Sequence, residues 1–307
     1  MEMFLNPGLW AAMLRIATPL MLAAMGGVLC QKAGVFNIAL EGHMLIGAFA
    51  AITVVHYTMG NVWLGMLGAM FFGMLYAVLL ALAIVKFRAN HIIAGIAMNM
   101  LALGLTSYLL RAMFNVQGSV RPAAINRLSP VSIPIVRDIP FVGGIISEQS
   151  IVTYVAVITV VLTYILVNKT RAGLNICSVG ELVDAARTAG VDPDREQWKV
   201  LIICGALCGL AGAYLSTTIV SQFSEDMIQG RGFNAFTAVA FGNANPIGTG
   251  LVTLLFGLAD AIGIRLELMA LGVPPSIIKM FPFVLALIAL MISSYNAKLK
   301  RLGVIKS

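Results

Sequence analysis

Residues 62–85 read VWLGMLGAMFFGMLYAVLLALAIV, 24 positions without a charge, closed by Lys86 and Arg88. A helix rising about 1.5 Å per residue needs about 20 such positions to cross a hydrocarbon core of about 30 Å. The run lacks the apolar–polar alternation of a barrel strand, so in lipid its backbone groups are satisfied only as a helix. Comparable stretches recur near 9–30, 34–55, 92–114, 151–168, 200–220, 232–267 and 277–295. The stretch 232–267 is too long for one simple span, and Asn243-Ala244-Asn245-Pro246 is expected to break it into two elements.

Composition agrees. Of 307 residues 60% are apolar and 11% charged, and the mean hydropathy is +0.94. A soluble domain has about 45–50% apolar and about 25% charged residues. The excess fills about nine stretches of about 20 residues, more than a water-soluble interior can hide. The expectation is an all-α polytopic membrane protein of about eight to ten transmembrane or re-entrant helices, with residues 1–307 as one transmembrane domain.

The net charge of +7 does not point to nucleic acid, because no basic and aromatic residues interleave. The basic residues orient the chain instead. Lys86, Arg88, the five cations of 169–199 (Lys169, Arg171, Arg187, Arg195, Lys199) and the tail (Lys298, Lys300, Arg301, Lys306) are expected on the cytoplasmic side. The proline-bearing loop 115–150 (Pro122, Pro130, Pro134, Pro140) is then extracytoplasmic, despite Arg121, Arg127 and Arg137. Either the N-terminus is outside, or 34–55 is a re-entrant, broken element. Met1-Glu2-Met3-Phe4 lacks the basic region of a signal peptide, so the first segment is expected to stay in the mature chain. Cys30, Cys177, Cys204 and Cys208 show no metal or redox spacing, and Cys204 and Cys208 read as packing residues.

Polar residues inside apolar runs need partners or water. Asn37 and Glu41, spaced i, i+4, are expected on one helical face, either lining a polar passage or tying neighbouring helices. Asn99, with Gly95 one turn before it, invites the same two readings. Asp260 has Arg265 and Glu267 close by, so a local ion pair and transport chemistry are both open. Arg15 is expected to snorkel to the interface. Gly205, Gly209 and Gly212 form a small-residue packing face. In the basic loop, Asp184-Ala185-Ala186-Arg187-Thr188-Ala189-Gly190 reads as a short, smooth helix stopped by Gly190, suited to a groove on a partner or simply an amphipathic surface loop. There is no G-x-x-x-x-G-K-[ST], H-E-x-x-H or G-x-S-x-G. His43, His56 and His91 are dispersed and suggest no metal site.

Gly34-Val-Phe-Asn-Ile-Ala-Leu-Glu-Gly42 resembles the signature of ABC-importer permeases for simple sugars, branched-chain amino acids and nucleosides. Asp184-Ala185-Ala186…Gly190 resembles that superfamily's coupling motif, with Asp for Glu and Val200 for the usual Ile. Phe87-Arg-Ala-Asn90 before Gly95-Ile-Ala-Met-Asn99, and Gly232-Phe233 before Asn245-Pro246-Ile-Gly248, are similar blocks. The likeness covers about residues 15–295, and Ile139-Pro140-Phe-Val-Gly143 leans it toward the nucleoside, guanosine-type branch.

The resemblance implies a permease fold without enzymatic activity or cofactor, in the bacterial cytoplasmic membrane. Its implied partners are an ABC ATPase subunit that hydrolyses ATP, a second, non-identical permease subunit and an extracytoplasmic substrate-binding lipoprotein. It implies that Asp184, Ala185, Ala186 and Gly190 couple to the ATPase. Phe36, Asn37, Glu41 and Asn99 are the candidates for the substrate path. A simple sugar such as ribose or galactose is the alternative substrate, and an ion-coupled carrier using Glu41 or Asp260 is the alternative class. Gly34-Val-Phe36-Asn37 and Arg231-Gly232-Phe233-Asn234 also share a short pattern, as matching halves of a transporter or by chance.

Overall fold

The computed structural model describes residues 7–126, 129–130, 144–145 and 147–268. The expected span 277–295, the basic tail, Arg127, Pro134, Arg137 and Ile139 to Gly143 lie outside the described residues. Seven helices among those described are long and apolar enough to cross a membrane. They are α1 (Pro7–Lys32), α2 (Leu40–Tyr57), α3 (Val62–Ala81), α4 (His91–Phe114), α5 (Ile151–Lys169), α8 (Pro193–Ala213) and α10 (Pro246–Leu268). Between them lie β1 (Ser119–Val120), α6 (Arg171–Glu181), α7 (Val183–Thr188), β2 (Phe223–Ser224) and α9 (Arg231–Phe241). α3 and α8 each continue through a π-turn, Leu82–Lys86 and Tyr214–Ile219.

The starts of these helices follow from local chemistry. Asn61, Asn90, Ser150, Thr170 and Asp192 each accept hydrogen bonds from first-turn N–H groups, and Pro193 occupies a first-turn position whose missing N–H costs nothing.

α8 sits at the centre, against α1, α2 and α3, while α4 and α5 expose most of their length. The expected small-residue face makes this contact. Gly205 lies on Gly73 and Ala77, Gly209 on Ala69 and Gly47, and Gly212 on the Met44 carbonyl, all too close for an added Cβ. In lipid, where apolar surface gains nothing from leaving water, such backbone approach supplies the packing. Cys204 and Cys208 are fully buried beside it, as expected of packing residues.

Both ends of the bundle are defined by cross-links. At one end Arg88 bridges Asp194 at 2.8 Å and Gln197 donates to the Ala33 carbonyl at 3.3 Å. At the other, Arg15 donates through Nε to Gln149 at 3.2 Å, and β1 pairs antiparallel with β2. α1 therefore runs from the β end to the Arg88 end and α2 returns, both crossing. The stretch 34–55 is broken, as one of its two readings expected, at residues 35–38, and α2 is nevertheless 18 residues long, about 27 Å, with Pro7 at the end of the bundle opposite Arg88. α9, whose 11 residues reach only about 16 Å, is too short to cross a hydrocarbon core of about 30 Å. It turns at Gly242–Asn245 into α10, which confirms the expected break before Pro246.

Candidate functional site

α1 stops at Gly34 (φ 76°), whose N–H reaches the Gln31 carbonyl at 3.1 Å while Val35 N–H reaches the Cys30 carbonyl at 2.9 Å. This is a Schellman motif, the stop that glycine allows in the left-handed region. Residues 35–38 then run without helix until α2 begins at Leu40.

Buried amides hold this break. Asn37 accepts from Ala39 N–H at 2.9 Å and donates toward the Cys204 and Cys30 sulfurs at 3.4 and 3.8 Å. Asn99 on α4 accepts from Gly42 N–H at 2.8 Å and donates to the Ile38 carbonyl at 3.1 Å, tying both sides together. Asn37 thus precedes α2 and does not share a helical face with Glu41, contrary to the expectation from their spacing. Its carbonyl bonds the backbone two residues on, an alternative to helix that Asn readily offers.

Glu41 joins the two halves of the chain. Its carboxylate accepts from Gly230 N–H at 2.8 Å and Gly232 N–H at 2.6 Å. These are orphan donors at the start of α9, where the helix dipole favours an anion. Gly232 backs directly onto the Glu41 main chain, leaving no room for a Cβ. Below this clasp, the Phe36 and Phe236 rings meet edge to face at 4.8 Å. The two stretches sharing a pattern in the sequence are thus each touched by a residue just beyond the other, Gly232 by Glu41 and Phe36 by Phe236. Phe36 is itself 40% exposed. Asp260 is half-buried on α10 and forms no ion pair with Arg265 among the described residues.

The basic loop folds into α6 and α7. Gly180 on α6 touches the Lys32 carbonyl and Gly34, so this helix rests backbone to backbone on the break. Ile176 is buried with Leu29, Ala33, Val167 and Val200. α7 ends as the sequence foresaw, at Gly190 (φ 86°). Gly190 N–H reaches the Arg187 carbonyl at 3.1 Å and Val191 N–H the Ala186 carbonyl at 3.0 Å. Ala186 is buried, whereas Asp184, Ala185, Ala189 and Gly190 are exposed beside Leu182 at 62% exposure.

The structure thus gathers Phe36, Asn37, Glu41 and Asn99 around one break, and sets Asp184, Ala185, Ala186 and Gly190 apart on a projecting helix. Sequence reasoning missed Gly180, Gly230 and the hydrogen bond from Phe36 N–H to His91 Nδ1 at 3.2 Å. Beside His91, Asn90, an amide just before an apolar helix, carried a legible capping signal. Among the described residues no group of three or more His, Cys, Asp or Glu could hold a metal ion.

Residues 9–290 match the family model of the branched-chain amino acid transport system / permease component. The chain is 34% identical to the nucleoside ABC transporter permease protein NupC of Lactococcus lactis subsp. cremoris, over 91% of this chain and 90% of the relative. It is 36% identical to the guanosine ABC transporter permease protein NupQ of Bacillus subtilis, over 91% and 89%. It is 30% identical to the glucose ABC transporter permease protein TsgB13 of Haloferax volcanii, over 94% and 77%. No solved structure matches the chain.

Proposed function

The chain belongs to the branched-chain amino acid transport system / permease component family, and from that premise we propose that it is the nucleoside-translocating permease subunit of an ATP-driven importer. It is a multi-pass protein of the cytoplasmic membrane. ATP hydrolysis falls to a separate ABC ATPase subunit, since no phosphate loop occurs in this sequence. A second, non-identical permease subunit and an extracytoplasmic binding lipoprotein complete the transporter.

The observation that carries this reading is α7, a smooth helix with exposed Ala185 and Ala189 at the Arg88 end of an otherwise lipid-embedded bundle. The cations Lys86, Arg88, Lys169, Arg171, Arg187, Arg195 and Lys199 support a cytoplasmic assignment for that end. There α7 is the coupling helix, with Asp184, Ala185, Ala186 and Gly190 forming its contact with the ATPase. Because α6 links α7 to the break through Gly180 and Gly34, a push on α7 is passed to Phe36, Asn37, Glu41 and Asn99, which border the path. Phe36 faces the passage, and the three polar side chains fix the shape of its wall. Rigid-body switching between two packed states then alternates access.

Nucleoside as substrate is supported by the NupC and NupQ similarities, at 34% and 36% identity. A simple sugar is the second reading, supported by the 30% identity to TsgB13. Uptake of labelled guanosine and labelled ribose, in cells with and without this chain, separates them. Loss of guanosine uptake alone is expected, and loss of ribose uptake alone would refute the nucleoside reading.

A further inference from the structure

Between the π-turn Tyr214–Ile219 and α9 the chain runs without helix from Ser221 to Gly230. Both ends of this run are fixed against α2. Phe223 meets the Phe49 ring edge to face at 5.2 Å, and Gly230 N–H donates to Glu41 at 2.8 Å. Glu41 and Phe49 stand on one membrane-spanning helix, separated by about 12 Å of depth. We infer that Ser221–Gly230 is a wall of the aqueous translocation path, with the Asp226 carboxylate and the Gln229 amide as the groups that meet the passing solute. The inference rests on the permease reading above and extends the path to the second half of the chain.

The polarity of the run is the reverse of a lipid-facing surface. Its apolar side chains are buried, Phe223 and Ile228 completely and Met227 nearly so, whereas Asp226 and Gln229 are exposed. On α5, by contrast, the exposed side chains include Val157, Ile158, Val161 and Leu162. Glu225 is engaged, its carboxylate accepting from Gly118 N–H at 3.3 Å and its own N–H donating to the Gly118 carbonyl at 2.8 Å. Neither Asp226 nor Gln229 has a side-chain hydrogen-bond partner among the described residues, and Asp226 forms no ion pair there.

Non-helical backbone at membrane depth is tolerated only where protein buries it or where it lines a water-filled cavity. A charged side chain at that depth faces the bundle interior or water, not hydrocarbon. Protein covers the apolar edge of this run, so water must meet the other edge. The backbone is held to that end. Ser221, Asp226 and Gln229 sit at φ 58°, 55° and 51°, a left-handed conformation that non-glycine residues keep only where their surroundings impose it, most often at functional sites. A carboxylate accepts from hydroxyls, and an amide both donates and accepts. The pair therefore suits a neutral, hydroxyl-bearing solute, and the fixed negative charge disfavours anions.

The test is thiol accessibility in membrane vesicles carrying the intact transporter. A Cys177→Ser background serves, because Cys30, Cys204 and Cys208 are buried and Cys177 is half-buried. Impermeant cationic and anionic methanethiosulfonates are applied to right-side-out and to inside-out vesicles. Asp226→Cys and Gln229→Cys should each react, from at least one face, about tenfold faster than Met227→Cys and Ile228→Cys. Where an apolar variant fails to accumulate, the fully buried Cys208 is the slow reference. At Gln229→Cys the cationic reagent should be favoured about threefold beyond its ratio toward a free thiol, and adding Asp226→Asn should remove that preference. Saturating transported solute should slow both reactions about fivefold. Reaction no faster than at the buried positions, or a charge preference untouched by Asp226→Asn, would overturn the inference. If native vesicles take up guanosine while neither position reacts, the wall falls and the nucleoside reading stands. If ribose and not guanosine is taken up and slows the reaction, the wall stands and the nucleoside reading falls.

Discussion

The helix stop at Gly34 and the helix stop at Gly190 use the same pair of hydrogen bonds and the same left-handed glycine, at φ 76° and 86°. Their surroundings differ completely. Gly34 is packed against Gly180 of α6, and the residues beyond it are held by Asn37, Asn99 and Glu41. Around Gly190 nothing lies within 4 Å of where a Cβ would be. One stop is built into the bundle, where it creates a break that other helices stabilise. The other projects a short helix outward and leaves its surface unpaired. Identical local chemistry thus sets a structural joint in one place and presents a contact surface in the other.

This contrast can be broken by substitution. The largest effect is expected from Gly180→Ala, whose methyl would overlap the Lys32 carbonyl. Overpacking of that kind costs about 1–3 kcal/mol, so the chain should fall in membrane abundance and in detergent melting temperature, and uptake should fall with them. Glu41→Ala comes next. It leaves Gly230 and Gly232 N–H without their acceptor, at about 1–3 kcal/mol for buried unsatisfied groups. Thermal unfolding should rank the native chain above Glu41→Gln, and Glu41→Gln above Glu41→Ala. Equal melting of all three would mean that the clasp on α9 contributes nothing. Gly190→Ala should cost only the left-handed penalty of about 1–2 kcal/mol, with no clash. The chain should still accumulate, while uptake drops through a misplaced α7. A collapse of abundance matching that of Gly180→Ala would erase the distinction between joint and surface.

Much of this was legible in the sequence, for reasons that also explain what was not. Hydropathy reports the solvent each segment meets, so the spans, the interruption at Asn243–Pro246 and the Gly205–Gly209–Gly212 face could be read directly. The stop at Gly190 was legible too, because a Schellman motif is local and its glycine carries the signal. The partners of Glu41 were not. They are main-chain N–H groups 189 and 191 residues away, and a backbone donor has no side-chain signature. Gly180 was overlooked for the same reason, since its role is the absence of an atom at a contact between distant segments. Asn37 was misread because an i, i+4 spacing implies a shared face only inside a continuous helix, and α2 starts three residues later.

Ala186, buried at 2% exposure, would confuse coupling with packing, whereas Ala185 lies on the exposed face of α7. Ala185→Arg should therefore change stability by no more than about 0.5 kcal/mol, as surface substitutions usually do. The decisive measurement is ATP hydrolysis by the reconstituted transporter carrying Ala185→Arg, with and without nucleoside-loaded binding protein. The expected result is normal assembly in the membrane with stimulation of hydrolysis and uptake both lost. Full stimulation and full uptake would contradict the assignment of α7 as the surface through which this permease is driven.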